Sequence, residues 1–449
     1  MKLLICFILG LGVVQAKEVL LPKHIYQYLN KDNPFYYQAI GEQYVAKGRE
    51  LFYEGSLDTQ LNALYDDKNY PTTTGTYEEV GLFKPLDNGI ELSMGYRRAK
   101  GTQEYNNIKT GEDGEFLSSI KIPLFSVLYD ISKNKVDIQT AQISTIQAEH
   151  KSDLNLLKLY FNISKIYYQL LLQKQLVRTQ KELLGKAKKT REFIEKQIET
   201  GKLPAVMQIE IEQIIMRREQ QNLYEKNNYE IVKNIFLQYL GIDTDTFSKR
   251  FRVPLLTMKN KSLPKVQESL RIAIENRPDL KIIDFEIEKL ALKKSYNDLA
   301  QYPKFDMKFS GLYDPINQEG YKVSLNFNLP IERRKYSGMD EVLQKQNLMK
   351  QSEKLKAVRE LETSIMNVYQ KIKTKKEAIG FSKRELTLVR KLESVEMKRI
   401  HEGIGNLIFL NQREIAVLKV QQKLLKDYYD LATYFLEVEY LLGKLSSQT

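Results

Sequence analysis

The side chains that most often carry chemistry occur in this sequence without the spacing that a catalytic or metal site requires. His24, His150 and His401 lie more than 100 residues apart, and no HExxH or comparable ligand spacing is present. The "GIG" at Gly403 lacks a third glycine and follows a helical pattern, unlike a phosphate-binding loop. Neither a GxSxG nor a P-loop motif occurs. The sequence therefore predicts a protein that is not an enzyme, with no catalytic residue, no metal site and no cofactor.

The start of the chain has the three parts of a secretory signal peptide. Lys2 is a short basic region, residues 3–14 form an apolar core, and a small-residue cleavage site ends at Ala16. An apolar core of 12 residues is too short to cross a bilayer as a helix. Cys6 fits a loose lipoprotein pattern, but cleavage there would leave only residues 3–5 as the apolar core. The mature chain is thus predicted to be exported and free of cysteine and disulfides.

Export also limits what the basic composition means. The chain has 69 lysines and arginines against 57 acidic residues, a net charge of +12. Such a balance would ordinarily suggest nucleic acid as a partner. The lysines are instead spread among glutamates along helical patterns, as on a solvated face, and no nucleic-acid partner is expected. No run of 18 apolar residues follows residue 16, so any membrane-spanning part must be a β-barrel.

Landmarks in the second half of the chain repeat those of the first half at an offset of 202 residues. Gly201 corresponds to Gly403, and Leu240-Gly241 corresponds to Leu442-Gly443, each pair separated by 40 residues without a gap. Upstream of each glycine, a proline closes a stretch in which apolar residues alternate. We interpret this pattern as an internal duplication. The prolines, Pro123 and Pro330, are predicted to end a strand and to occupy the first turn of a helix.

Beyond each proline the apolar residues have a helical period near 3.5, from Leu156 to Leu170 in the first half and from Val417 to Val438 in the second. This period favours long helices packed side by side. About 117 Å of helix would separate Pro123 from Gly201, and about 110 Å would separate Pro330 from Gly403. The helix that returns from each glycine to the next Leu-Gly would cover only about 60 Å. A second, shorter helix before each strand region would supply the rest of the length. Both glycines are therefore predicted to be turns of helical hairpins, and Pro204 is predicted in the first turn of the returning helix.

Alternating apolar residues predict strands in both halves. Residues 303–313 and 320–330 form a hairpin pattern of the length that a tilted transmembrane strand requires. A soluble hairpin is the alternative; the signal peptide and the long helices favour the membrane. Residues 55–123 contain four alternating segments, and the sequence leaves open whether the additional hairpin enters a barrel or folds over its mouth. Because single-chain barrels start at eight strands, several copies must share one barrel.

Taken together, these landmarks resemble the TolC-like outer-membrane efflux proteins. The shared features are the signal peptide, the strand and helix order, the "NRPDL" that opens the second half, the junction prolines, the turn glycines and the closing "LG". The resemblance implies an α+β membrane protein in which three copies share a transmembrane β-barrel continuous with a long periplasmic α-helical barrel. Each copy would contain two strand–strand–helix–helix repeats. The implied division is a signal peptide at 1–16, a first repeat at 17–241 (strand region about 55–123, hairpin turn near 201), an equatorial linker at 242–277, a second repeat at 278–443 (strands about 303–330, turn near 403) and a tail at 444–449.

The same resemblance implies a function and partners. The protein would be a homotrimer in outer-membrane lipid, with most of the chain in the periplasm. It would be the passive exit duct of a tripartite efflux or type I secretion system, joined by a periplasmic adaptor protein to an inner-membrane pump. A soluble periplasmic coiled-coil scaffold or adaptor is the alternative, and two full repeats, each with its own strand pair, favour the duct. The residues implied to contact the adaptor are Gly201, Lys202, Leu203, Gly403, Ile404, Gly405 and Asn406.

One departure from the family concerns the gate at the periplasmic end. Family members often place aspartates just after the hairpin turn, and this sequence has none there. Glu210 and Glu212 are the nearest acids in the first repeat, although glutamates on a helix more often face solvent. Phe409, in "NLIFL", suggests instead an apolar constriction that closes by excluding water.

Overall fold

The computed structural model describes residues 17–101, 110–257 and 261–445. The predicted signal peptide and the last four residues of the predicted tail lie outside the described residues. The helices are α1 (Pro22–Tyr28), α2 (Pro34–Glu54), α3 (Leu124–Leu128), α4 (Lys133–Glu199), α5 (Val206–Leu240), α6 (Thr244–Arg250), α7 (Val266–Asn276), α8 (Pro278–Ala300), α9 (Arg334–His401) and α10 (Leu407–Leu441). The strands are β1 (Glu18–Val19), β2 (Gln60–Asn69), β3 (Thr74–Pro85), β4 (Glu91–Gly101), β5 (Glu115–Pro123), β6 (Phe251–Arg252), β7 (Lys304–Asp314) and β8 (Gln318–Asn328).

The chain divides into two compact units. The first, here called the helical unit, comprises Met1–Ala39, Asn155–Arg277 and Glu360–Thr449. The second, called the sheet unit, comprises Ile40–Leu154 and Pro278–Arg359 and contains β2–β5, β7 and β8. Within the described part of the chain, no helix is both long enough and apolar enough to cross a membrane.

Two pairs of a long and a shorter helix follow the strands. Helices α4 and α9 have 67 and 68 residues, and each is followed by a helix of 35 residues, α5 or α10. These lengths exceed the average globular helix of roughly 11–12 residues several-fold. The helix after the first strand region does not begin at Pro123, however. A short helix, α3, follows Pro123, and α4 begins only at Lys133.

The break between α3 and α4 is the first correction to the sequence interpretation. Asp130 adopts a φ of 52°, and its N–H and that of Ile131 donate to Val127 and Ser126, which ends α3. The Ser132 hydroxyl then accepts from the Lys135 N–H at 3.0 Å and caps α4. Aspartate is one of the few non-glycine residues that adopt the left-handed conformation at modest cost, so no glycine marks this break.

The other predicted proline positions also differ by a few residues. Pro123 is the last residue of β5 and the N-cap residue of α3. Pro330 lies after β8 and four residues before the start of α9, and Pro204 lies two residues before α5. Prolines 204 and 330 therefore precede their helices and do not lie in the first turn.

In the sheet unit, β2-β3-β4-β5-β7-β8 form a six-stranded antiparallel sheet in that order. The four alternating segments of residues 55–123 are β2–β5, and the hairpin pattern of 303–330 is β7 and β8. The additional hairpin of the first half, β2–β3, continues the same sheet through β4.

The two faces of this sheet have the reverse of the usual burial. On the central strands β3, β4 and β5 the small and polar residues of one face are mostly buried or half-buried, and Ser119, for example, is 8% exposed. The same face of the edge strands β2 and β8 is largely exposed. On the other face large apolar side chains are open, and Met94 is 60% exposed. We call this second side the apolar face; the strand registers place on it Leu61, Val80, Leu82, Leu92, Met94, Tyr96, Phe116, Ile120, Ile122, Phe305, Met307, Phe309, Tyr313, Tyr321, Val323, Leu325 and Phe327.

The opposite, polar face is joined by side-chain contacts between strands. The Ser93 and Ser119 hydroxyls are 3.2 Å apart, Lys121 donates to Glu91 at 3.1 Å, and Arg97 pairs with Glu115. A soluble protein normally buries the apolar face of a sheet and exposes its polar one, so the burial of this sheet is unusual.

The helical unit has its main core where short elements collect around α4, α5 and α10. The short parallel pair of β1 and β6 lies here, and the Tyr167 hydroxyl donates to the Leu20 carbonyl at 3.0 Å. Buried members of this core include Leu20, Ile25, Ile163, Leu170, Phe236, Leu240, Val253, Leu256 and Leu445. The first part of the linker, up to Leu256, therefore shares one core with the ends of the returning helices.

Both Leu-Gly sites lie against an asparagine that precedes a proline-initiated helix. Gly241 has a φ of 68°, and the Asn33 side chain donates to the adjacent Tyr239 carbonyl at 2.8 Å. Gly443 has the same φ, and a Cβ there would lie 3.2 Å from the Asn276 carbonyl. Glycine thus permits a positive φ at both positions and, at Gly443, a close approach of the backbone as well.

Candidate functional site

The predicted hairpin turns have the same backbone geometry. Gly201 has a φ of 70°, its N–H donates to the Ile198 carbonyl, and the Lys202 N–H donates to Gln197. Gly403 has a φ of 78°, with the corresponding bonds to Ile400 and from Ile404 to Arg399. This pair of hydrogen bonds is the Schellman motif, which satisfies the last free carbonyls of a helix. Each glycine therefore ends its long helix by adopting the left-handed conformation.

The chain re-enters a helix differently at the two turns. At Gly405 a Cβ would lie 2.5 Å from the Ile400 nitrogen, so this second glycine is required by close approach and not by a positive φ. Asn406 then caps α10, since its side-chain oxygen accepts from the Ile408 N–H at 2.7 Å. The N-cap of α5, Ala205, has no such side-chain bond.

One apolar cluster contacts both turns, which places them at the same end of the helical unit. We call it the tip cluster. It contains side chains from all four long helices: Leu184, Ala187, Ile194, Met207, Ile211, Ile215, Ile400, Leu407 and Leu410. Leu203 and Ile198 pack partly buried against it. Gly201 and Gly403 are thus fixed side by side through the residues that flank them.

The predicted contact residues are not equally accessible. Lys202, Asn406 and Ile404 are exposed, Ile404 to 67%, whereas Leu203 is half-buried against the tip cluster. Further apolar side chains surround the turns in the open, namely Val206, Ile209, Ile408 and Phe409. The tip region therefore presents exposed apolar side chains beside exposed charged ones, among them Glu199, Lys202, Arg399 and Glu402. Apolar side chains that are open together in this way are typical of an interaction site.

The three residues proposed for a gate lie on the first turns after the tips. Glu210 is half-buried and Glu212 is exposed, where it accepts from Gln208 at 3.3 Å in its own helix. Phe409 is half exposed. In a single copy these side chains are not brought together, and their role as a gate stays a prediction.

A buried ion pair near the tip cluster was not anticipated from the sequence. Arg218 on α5 donates to Glu414 on α10 at 2.6 Å, and it also donates to Asn411 at 2.8 Å and to the Leu183 carbonyl at 3.0 Å. Glu414 is only 3% exposed. Burial raises the pKa of the Glu414 carboxyl above its ordinary value, and the Arg218 charge opposes this effect. The pair links three helices at this level of the unit.

A signal for this pair is present in the sequence. Met207, Ile211, Ile215 and Arg218 are spaced by four, four and three residues, so the arginine continues the buried stripe of α5. Glu414 likewise follows Leu407 and Leu410 in the buried stripe of α10. A charged residue at an apolar position of a stripe is the observation that sequence reasoning passed over.

The turn glycine Gly403 allows a test with a matched control, Gly380, inside the helix that Gly403 ends. Neither Gly403 nor Gly380 has a heavy atom within 4 Å of where a Cβ would lie, but only Gly403 has a positive φ. We expect Gly403→Ala to destabilise the protein by about 1–2 kcal/mol. Gly380→Ala, in the exposed interior of α9, should stabilise it by about 0.5–1 kcal/mol. Thermal unfolding of the two variants should shift in opposite directions; shifts of the same sign would contradict the geometry.

No protein-family model and no curated protein sequence matches this chain. Solved structures do match it over nearly its whole length. The outer-membrane protein VceC from Vibrio cholerae aligns with a TM-score of 0.73 and 14% identity, over 94% of this chain and 96% of that one. CusC, studied for transmembrane channel formation, aligns with a TM-score of 0.72 and 13% identity, over 94% and 92%. The MtrE outer-membrane channel of Neisseria gonorrhoeae aligns with a TM-score of 0.70 and 12% identity, over 94% of this chain and 88% of that one.

Identities of 12–14% establish a common fold and nothing finer. The agreement covers the strands as well as the long helices, because more than nine-tenths of the chain is aligned. This chain therefore has the fold of the TolC-like outer-membrane channels.

Proposed function

We propose that this protein is the outer-membrane exit duct of a tripartite efflux or type I secretion system. Three copies would share a transmembrane β-barrel that continues into a periplasmic α-helical barrel. Substrates would be delivered by an inner-membrane pump through a periplasmic adaptor and would pass without a reaction in this protein.

The observation that carries this proposal is the reversed polarity of the sheet. Phe116, Val323 and Leu325 on the apolar face are each at least half exposed, while Ser119, Ser310 and Glu115 on the other face are buried. Exposing so many large apolar side chains to water would cost roughly 25 cal/mol per Å² of apolar surface. Lipid on the apolar face removes that cost, and water in a lumen suits the polar one.

The strands also have the dimensions of a membrane wall. Strands β2–β5, β7 and β8 have 9 to 12 residues each, which matches the roughly 9–11 residues of a tilted transmembrane strand. Tyr96, Phe116 and Tyr313 are register neighbours on adjacent strands of the apolar face. Such an aromatic row is typical of the boundary between lipid and water.

The tip region supplies the proposed adaptor site. Both turns lie at one end of the helical unit, and Lys202, Ile404 and Asn406 are open there. We propose that the adaptor contacts this surface, with Leu203 and Gly405 supporting it from beneath. The alternative, a soluble periplasmic scaffold, leaves the apolar face of the sheet without a covering.

The test combines fractionation with site-specific labelling. The mature chain is predicted to lack cysteine, so Asn406→Cys and Ile316→Cys each introduce one thiol at an exposed site, the second in the turn between β7 and β8. We expect an outer-membrane trimer in which a membrane-impermeant maleimide labels Ile316→Cys on intact cells, while Asn406→Cys is labelled only after the outer membrane is opened. In cells, Lys202→Cys and Asn406→Cys should crosslink to an adaptor. Recovery of a soluble monomer, or labelling of Asn406→Cys from outside, would refute the proposal.

A further inference from the structure

We propose that the β2–β3 hairpin is part of the membrane wall, so that each copy supplies six strands and three copies close an 18-stranded barrel. Closure would occur by pairing of β8 in one copy with β2 in the next. This inference rests on the proposed function and specifies the interface between copies of the chain.

The first support is that the hairpin is paired along its whole length with the strands beside it. The register of β2 with β3 runs from Gln60↔Phe83 to Asn69↔Thr74, and β3 pairs with β4 over a similar length. Facing glycines tighten the second contact. A Cβ on Gly95 would lie 2.8 Å from the Gly81 Cα. The hairpin is therefore a continuous part of the sheet and not a flap over its edge.

The second support is that the apolar face continues across the hairpin. In the registers, Leu61 of β2 lies opposite Leu82 of β3, and Leu82 lies opposite Met94 of β4. All three side chains are open, and Leu61 is 71% exposed. A hairpin lying over the barrel mouth in water would gain nothing from an outward apolar row in register with the wall. A hairpin within the wall requires one.

The third support is the nature of the two edge strands. Within the described residues β2 and β8 each pair on one side only, and an exposed edge of this length is a ready template for another strand. The two edges have 10 and 11 residues. Six strands that alternate in direction leave β2 and β8 antiparallel, so identical copies close into an all-antiparallel barrel with an even number of strands. On the polar face β2 carries Asp66 and Lys68, and β8 carries Lys322, so Asp66 offers Lys322 a partner of opposite charge.

The consequence is a wide exit. Barrel diameter grows roughly linearly with strand number, and barrels of about 16–18 strands leave an aqueous channel. Relative to twelve strands, as four per copy would give, eighteen widen the barrel about 1.5-fold and its cross-section about two-fold.

Double-cysteine variants test the closure. Ser324→Cys on the polar face of β8 is combined, one at a time, with cysteines along the polar face of the β2 edge, at Gln60, Asn62, Leu64 or Asp66. The comparison set pairs Ser324→Cys with Glu91→Cys or Ser93→Cys on the same face of β4. Facing residues of paired strands have Cα atoms about 4.5–5.5 Å apart, within reach of a disulfide. Outer-membrane trimers are oxidised and analysed on denaturing gels.

We expect at least one β2 position to convert most of the monomer band into covalent dimers and trimers, and the β4 positions to leave it unchanged. A trimer that crosslinks through β4, or at no β2 position, would overturn the 18-stranded barrel and leave the proposed function intact. If the protein without added cysteines also yielded no outer-membrane trimer, the proposed function itself would be refuted.

Discussion

Replacing Arg218 with leucine is expected to destabilise the helical unit by about 3–5 kcal/mol. Glu414 would then remain buried without its partner, and an uncompensated buried charge costs several kcal/mol. Asn411 and the Leu183 carbonyl would each lose a donor as well. Chemical or thermal unfolding of the purified protein measures the effect, and hydrogen exchange should show faster opening of the neighbouring α5 and α10 turns.

Two controls separate the buried pair from charge pairs in general. Arg178 and Glu182 form an ion pair at 2.8 Å on the surface of α4, and Arg178→Leu should cost no more than about 1 kcal/mol. The double variant Arg218→Leu with Glu414→Leu should recover most of the lost stability, because neither charge is then left alone. Equal effects of Arg218→Leu and Arg178→Leu would contradict the structure.

The Arg218→Leu defect should also depend on pH. A carboxyl whose pKa is raised in the folded state binds a proton more readily there than in the unfolded chain, so its folded state gains stability as the pH falls through the raised value. Without Arg218 the raised pKa of Glu414 is no longer opposed. The stability difference between wild type and variant should therefore shrink from pH 7.5 to pH 5, whereas a Glu414→Gln background should abolish that trend.

Placing an arginine on the apolar face of the sheet is expected to have a comparably large effect. Val323 lies near the middle of β8 and faces the proposed lipid side. An arginine on the lipid side of a barrel costs about 2–4 kcal/mol at mid-membrane depth. We expect Val323→Arg to lower both the amount of trimer in the outer membrane and the temperature at which it dissociates in detergent.

The matched control lies three residues further along the same strand. Asn326 is on the polar face, opposite Asp306 of β7, so Asn326→Arg places the same cation beside a carboxylate and, by the proposal, in water. It should be nearly neutral. If the two substitutions were equally harmful, or if only Asn326→Arg were harmful, the assignment of the lipid side would be wrong.

The parts of the fold that depend on local sequence can be predicted from the sequence alone. Glycine before a new helical pattern marks the turns at Gly201 and Gly403, because few other residues adopt a positive φ cheaply. The break before α4 was missed because Asp130 takes the same conformation without being glycine. The continuity of β2–β3 with the sheet is a tertiary pairing, and alternation along one strand does not reveal its neighbours.

Less of the candidate site could be predicted from the sequence. Its turn residues follow from the repeat, and the resemblance assigns them to adaptor contact. The sequence does not predict which turn residues are exposed to solvent, because the burial of Leu203 and the exposure of Ile404 depend on how four helices pack together. The buried Arg218–Glu414 pair follows the spacing of the apolar stripes, but charged residues usually lie outside a core, so the spacing alone does not predict a buried pair.

Glu414 and its counterpart at the 202-residue offset, Glu212, have opposite environments: the first is buried against Arg218 and the second is exposed to solvent. The paired hairpins of one subunit are thus chemically unequal despite equal lengths. In a ring of three subunits, six hairpin ends would alternate between two kinds. A docking protein would then meet three sites of each kind instead of six equivalent ones. The sequence of this chain would therefore determine whether three or six copies bind to each ring.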